Sequence, residues 1–469
     1  MQTDNIFNAE SASASTRPDV DIAAVIDAHP VSRFQIAMMV LVALCVVMDG
    51  FDAQAMAFVA PAVIQAWHIP RAALGPVFSS SLVGMLFGSL TLGPLSDRIG
   101  RRPVLIGSTL TVSAAMLSTA FSQTLGQLLL LRLITGFGLG GIMGNAMALV
   151  SEYSPARIRT TLMMCVSCGF TAGAAFGGFV AAVLIPLSGW PGVFVFGGIV
   201  PCVIAIVMAL WLPESLQYII ARGCNTEQVD HWLRRIAPLI AIHVGTRYVV
   251  AHNTEPQKNA VKGLFSEGRT ATTLLLWCVN FLNLLNLFFL TNWLPTIASD
   301  VGYRVSQAAL IGAMLQVGGV MGTLGMGPII DRFGFFRVLI PTNLVAAFAI
   351  VAIGYVASVS LPVLLLVVFV AGFGIVGGQP ANNTLSASIY PVRLRATGVS
   401  WSLGIGRAGS IVGPIIAGGM LQMHWSRPQV FCAAAIPAII AALTLRAMSR
   451  LQYPDRRQAK WSDDRSGSG

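Results

Sequence analysis

Apolar runs of about 20 residues recur along the chain from Phe34 almost to its C-terminus. Each is long enough to cross the roughly 30 Å hydrocarbon core of a bilayer as a helix. They mark spans at 34–58, 73–92, 104–121, 128–150, 162–185 and 192–212, then at 272–297, 308–329, 338–359, 361–389, 396–421 and 430–447. The predicted fold is an all-α membrane protein of twelve transmembrane helices. Only 10% of the 469 residues are charged, against about 25% in an ordinary globular protein, so lipid is the expected solvent.

The runs divide the chain into a polar tail at 1–33, six spans within 34–212, a central polar segment at 213–271, six spans within 272–447 and a tail at 448–469. The first tail carries five acids and no basic start leading into a short apolar core, so it is unlike a secretory signal. With both termini placed on the cytoplasmic side, the inner segments hold 24 of the 29 Lys and Arg residues, and the outer loops hold only Arg71, Arg304 and Arg427. That asymmetry is the basic excess expected of cytoplasmic loops, and it explains the net charge of +10 without invoking nucleic acid. Seven cysteines, most inside apolar runs, make no disulfide framework. Cys165 and Cys168 lie on one predicted span and read as small packing residues, and no metal or cofactor is called for.

The two sets of spans are related. Gly93-Pro-Leu-Ser-Asp97-Arg98-Ile-Gly100 follows the second span, and Gly327-Pro-Ile-Ile-Asp331-Arg332-Phe-Gly334 follows the eighth, 234 residues later. Gly136-Phe-Gly138 returns as Gly372-Phe-Gly374, and Arg157-Ile-Arg159 as Arg393-Leu-Arg395, both 236 residues on. Parallel six-helix repeats around a midplane site are the plan of a rocking transporter, so two pseudo-symmetric bundles are expected.

These residues resemble the major facilitator superfamily. The loop Gly93 to Arg102 is similar to its signature between helices two and three, and Arg132-Leu-Ile-Thr-Gly136-Phe-Gly138 to its fourth-helix motif. Within it, Asp49-Gly50-Phe51-Asp52 followed by Ala60-Pro61, with Gly406-Arg407-Ala-Gly409, is similar to the bacterial aromatic acid:proton symporters. The resemblance implies uptake of a benzoate-type acid such as para-hydroxybenzoate or protocatechuate together with protons, across the inner membrane of a bacterium, by a monomer. The second loop copy has Phe335 and Phe336 where the first has paired arginines, so an equal gating role is not expected of it. Pro213-Glu214-Ser215, after the sixth span, also occurs in sugar porters, which keeps a sugar or other organic anion open as cargo.

Four Asp, Glu, Lys or Arg residues lie well inside spans: Asp49, Asp52, Arg132 and Arg407. A charge there costs a few kcal/mol or more unless paired or wetted, so each is a candidate functional residue. Asp49 and Asp52 are three residues apart and share a face. Two carboxylates in a poorly solvated site do not both ionise readily, which suits them to carry a proton. The alternative is that they fix packing through Arg132, which lies at similar depth to Asp52. Arg407, near the midplane, can hold a substrate carboxylate through two parallel hydrogen bonds, or pair with Asp49, and the two roles can compete.

Asn280, Asn283 and Asn286 in the seventh span, and Gln379, Asn382 and Asn383 in the tenth, can bind a ring hydroxyl or hydrogen-bond between helices. Phe51 and Trp401 can wall an aromatic ring or simply pack. At the inner ends, Asp97, Arg98, Arg101 and Arg102 face Glu152, Arg157 and Arg159, with Asp331 and Arg332 in the second copy: a charged latch that either gates or anchors. An enzyme reading lacks any clustered set with catalytic spacing, and a non-transporting sensor would need a partner for the central segment.

Overall fold

The computed structural model describes residues 19–222, 226–236, 247–249, 260–266, 268–356, 360–390 and 392–452. Most of both predicted tails, much of the central segment and the predicted span end at 357–359 lie outside the described residues, as do the side chains of Arg393 and Arg395.

The described chain is helical almost throughout. A short α1 (Ile22–Ala28) leads into the spans α2 (Arg33–Trp67), α3 (Leu74–Ile99), α4 (Arg101–Ala120), α5 (Leu125–Glu152) and α6 (Arg159–Trp211). Then come α7 (Leu216–Ala221), α8 (Thr226–Ile236) and α9 (Ala260–Gly263), all short. The second set is α10 (Thr270–Asp300), α11 (Val305–Phe333), α12 (Phe335–Val356), α13 (Leu361–Ile389), α14 (Val392–Gln422) and α15 (Arg427–Gln452). Among the described residues the strand pairing is a three-residue parallel one of Asp19–Asp21 (β1) with Arg247–Val249 (β2).

Local chemistry sets the helix ends. Ser32 caps α2 by accepting the Gln35 amide at 3.3 Å while the Gln35 side chain accepts the Ser32 amide at 2.7 Å. The side-chain nitrogen of Gln35 also donates to the Tyr153 carbonyl at 2.7 Å, tying α2 to the end of α5. The 53 residues of α6 would measure about 80 Å if straight, far beyond a bilayer. The chain kinks at Gly189, whose φ of 71° a side chain would resist, so α6 is the fifth and sixth predicted spans in one run. Among the described residues eleven helices are long and apolar enough to cross a membrane, and with the kinked α6 counted as two they fit the twelve-helix plan.

The two halves pack alike. In the first, α2 lies on α6, α3 on α5, and α4 on both α5 and α6. The matching helices of the second repeat this: α10 on α14, α11 on α13, and α12 on both α13 and α15. Across the interface α6 meets α11 and α3 meets α14, contacts that exchange when the halves are swapped. Within the first half, a Cβ on Gly50 would overlap the Phe170 carbonyl and one on Gly173 the Val47 carbonyl, so α2 and α6 touch backbone to backbone.

The central segment is tied to both halves. Trp232 of α8 stacks on Phe34 with centroids 5.4 Å apart, and Arg235 lies over both rings. Beyond α9, the buried Leu264 accepts a hydrogen bond from Thr273 of α10 at 2.9 Å.

Candidate functional site

Asp49 is one residue from the midpoint of α2, and Arg407 is at the midpoint of α14. Asp49 is buried, neither of its carboxylate oxygens has a hydrogen-bond partner among the described residues, and Arg407 is the opposing charge that acts on it. Arg407 reaches across the interface, donating to the Met85 carbonyl of α3 at 3.5 Å. The close approach of α14 to α10 that positions it depends on Gly409, where a Cβ would overlap the Phe281 carbonyl.

Asp52 finds its opposing charge and its close neighbour Gly197 within its own half. Arg132 is the opposing charge acting on it. The guanidinium donates to Met116 Sδ at 2.8 Å and to the hydroxyls of Thr135 and Thr119 at 3.2 and 3.3 Å, and lies 4.9 Å over the Phe194 ring. Asp52 Oδ1 has no hydrogen-bond partner. It lies against Gly197 of α6, where a Cβ would come within 2.9 Å of it. Among the described residues the ion pairs closer than 4 Å are Arg71 with Asp300 and Arg101 with Glu152, so both midplane couples act through space rather than as contact pairs.

The amides differ in how fully they are used. Asn280 donates to Ser402 at 2.8 Å, to the Leu276 carbonyl at 3.1 Å and to Ser386 at 3.3 Å, knotting α10 to α13 and α14. Asn283 donates to Gln379 at 2.5 Å, and Gln379 donates on to Asn383 at 3.1 Å. Asn382 is buried with its carbonyl unpartnered, and Asn286 is buried with neither polar atom partnered. Sequence reasoning missed Gln54, also buried with a free carbonyl, and the bond from Gln316 to Thr291 at 3.4 Å. A census of amides as well as charges inside the spans would have found them.

The two aromatic candidates are not brought to this group. Phe51 packs between Phe196 and Phe176 of α6, at 5.4 and 6.5 Å, and Trp401 is 43% exposed, stacked on Trp277 at 5.7 Å.

At the end bearing the termini, the Arg101 guanidinium meets Glu152 at 2.8 Å. The hub is Glu214, a residue to which its place in the sequence assigns no role. Its Oε1 accepts the amides of Arg101, Arg102 and Ser215 at 2.9, 3.1 and 2.8 Å, and Ser215 donates to Glu152 at 2.5 Å. The carbonyl of Arg98 accepts from Tyr218 and Arg222, Arg157 donates to the His29 carbonyl and Arg159 to the Ser154 carbonyl. Asp97 and Asp331 take part in none of these contacts, and Arg332 lies over the Phe333 ring. At the far end the halves themselves are joined: Arg71 to Asp300 at 2.7 Å, Phe78 edge-on to Trp293 at 5.4 Å, and Ser79 to the Ile411 carbonyl at 3.0 Å.

Residues 42–221 and 276–467 match the family described as Major Facilitator Superfamily. The chain is 39% identical to the 4-hydroxybenzoate transporter PcaK of Pseudomonas putida, over 95% of this chain and 99% of that one. It is also 39% identical to a gallate transporter of Pseudomonas putida, over 91% of this chain and 95% of that one. Among solved structures, a bacterial homologue of the human lysosomal transporter Spinster, inward-facing and unoccupied, superimposes with a TM-score of 0.70 at 18% identity, over 89% of this chain and 97% of that one.

Proposed function

The chain belongs to the major facilitator superfamily, and from that premise we propose that it imports a small, hydroxybenzoate-like aromatic carboxylate by proton symport through alternating access. The observation that carries this reading is the placement of Arg407: a cation at mid-depth on the second half, facing the unbonded carboxylate of Asp49 on the first.

A guanidinium in that position has two possible anionic partners, Asp49 and the cargo, and protonation decides between them. While Asp49 is ionised it holds Arg407. A proton taken up from the outer side neutralises Asp49 and frees the guanidinium for the two parallel hydrogen bonds that a carboxylate offers. With the proton and the anion both aboard, the central site carries no added net charge, which lowers the cost of rocking the halves around it. Loss of the proton inside returns Asp49 to Arg407 and expels the acid. Asp52, coupled to Arg132 within one half, tunes or steadies that half. The amides Asn283, Asn286, Gln379 and Asn382 form the neutral wall of the site, while Phe51 stiffens α2 from behind.

The bundles at 34–212 and 272–447 act as the two rigid bodies, and the segment 213–271 links them. Arg101, Arg102, Glu152 and Glu214 anchor the inner end, with Arg98, Arg157 and Arg159 as lesser members and Asp97, Asp331 and Arg332 free to engage when the halves close there. The lone basic residues of the far loops support a multi-pass orientation in a bacterial inner membrane with both termini cytoplasmic. The test is radiolabelled uptake into proteoliposomes under an imposed proton gradient, comparing benzoates with phenylpropionates, sugars and aliphatic acids. Gradient-driven accumulation of benzoates alone is expected. Accumulation of sugars instead, or no dependence on the gradient, would sink the reading.

A further inference from the structure

The three asparagines of α10 are all buried with their side-chain carbonyls unpartnered among the described residues, yet the bonding of their amide nitrogens falls away along the helix. Asn280 has three acceptors for its amide nitrogen, Asn283 has Gln379 and the Ile375 carbonyl, and Asn286 has no partner for either polar atom among the described residues. An unmade hydrogen bond in a buried amide costs about 1–3 kcal/mol, and native structures keep such groups for a reason.

Position along the helix supplies the reason. Residues seven apart in an α-helix differ by about 20° in direction, so Asn286 lies on the same strip as Trp293. The Trp293 ring meets the other half, 5.4 Å from Phe78 of α3, while its indole N–H donates within its own half to the Pro414 carbonyl of α14 at 3.0 Å. Asn286 is therefore aimed at the interface between the halves, two turns below the aromatic plug that closes the far end. It is one residue from the midpoint of α10, the depth at which Asp49 and Arg407 stand on their helices.

We propose that Asn286 reads a hydroxyl group on the substrate's ring, and that Asn280 and Asn283 do not. A phenol both donates and accepts, and an amide offers one acceptor and donors to match, so a single free asparagine can satisfy it completely. Asn280 is a helix tie, and Asn283 spends its donor on Gln379. The inference rests on the proposed carboxylate transport: Arg407 takes the acid end of the ring, and Asn286 distinguishes a hydroxylated ring from a bare one.

The experiment measures the KM values of para-hydroxybenzoate and benzoate in proteoliposomes holding the full chain, its N286L variant or its N283L variant. For N286L the KM value for para-hydroxybenzoate is expected to rise about tenfold, the worth of one neutral hydrogen bond, while that for benzoate changes by less than about twofold on the same scale. N283L is expected to shift both acids together. N286S, which keeps a shorter polar group, gives the same reading if N286L does not fold. An unchanged ratio of the two KM values in the Asn286 variants, or an equal rise in both, overturns the assignment alone. Failure of the wild-type chain to carry either acid overturns the carboxylate reading and this one with it.

Discussion

The two halves share a helix plan but differ in the charges they keep in their interiors. The first buries charges: Asp49, Asp52 and Arg132, with Asp49 making no hydrogen bond at all. The second buries neutral amides, several knotted to serines or to each other, and adds Arg407 at the interface. Carboxylates gain and lose protons, whereas amides do not titrate and instead hold a fixed pattern of donors and acceptors. Under the proposed symport, the proton and the cargo would be handled on opposite sides of the moving interface. Asp49 and Arg407 are the couple that spans it.

Removing the cation should do the most damage. R407A leaves Asp49 buried beside no counter-charge and gives the substrate carboxylate nothing to hold. Binding of the acid, read by scintillation proximity, is expected to fall about 100-fold or more, the scale of a lost buried charge-assisted pair. Unchanged affinity would move the substrate site elsewhere.

Neutralising the acids should separate the two functions rather than abolish both. In D49N, Arg407 is permanently free, so counterflow of the aromatic acid is expected to continue while accumulation against a gradient disappears. Wild-type uptake should rise as the outer pH falls, because protonation of Asp49 frees Arg407, and D49N should be flat over the same range. D52N lies behind the interface, so its expected effect is a slower rate with gradient dependence retained. Gradient-driven accumulation in D49N would break the division of labour between the halves.

The spans, the repeat and the mid-helix positions of Asp49 and Arg407 were legible in the sequence, because apolar run length and a rise of 1.5 Å per residue are local properties. The run at 361–389 matches α13 end to end. The first span was expected to stop at Phe58, yet α2 runs on to Trp67 straight through Pro61, whose lost hydrogen bond neighbouring helices in a bundle can tolerate. The partners of each side chain were not legible. Periodicity places Phe51 between Asp49 and Asp52, but only the rotation of α2 against α6 decides that its ring joins Phe196. Trp401 stacks on Trp277 for the same reason, and Glu214 becomes a hub because the end of α6 returns to the start of α4. Such rotations are set by packing between distant segments, which spacing within one helix does not encode.

The knot around Asn280 offers a smaller, structural contrast with the free Asn286. N280A leaves Ser386 and Ser402 to bond each other across 3.3 Å, so the expected loss is about 1–2 kcal/mol of stability, read as a lower melting temperature in detergent. The preference among aromatic acids should not move. A changed preference would make α10 a continuous recognition surface instead of a tie followed by a reader.

The smallest effects belong to the two ends, and they too differ between the halves. Glu214 caps the first turn of α4 by accepting two of its amides, and a lost cap costs about 1 kcal/mol, so E214A should lower stability modestly. D331N in the second copy, where Phe335 and Phe336 replace the arginines, should leave stability unchanged. At the far end Arg71 is half exposed, so its bond to Asp300 contributes little to stability, about 0–1 kcal/mol at most. That bond joins the halves, however, and its loss should appear in which way the protein faces rather than in how firmly it folds. In R71A, a thiol reagent is expected to label a cysteine placed at Ser79, beneath the closed far end, faster than in an otherwise identical chain that keeps Arg71. Equal labelling rates would assign the closure to Phe78, Trp293 and the backbone contacts around them, and leave the ion pair as surface decoration.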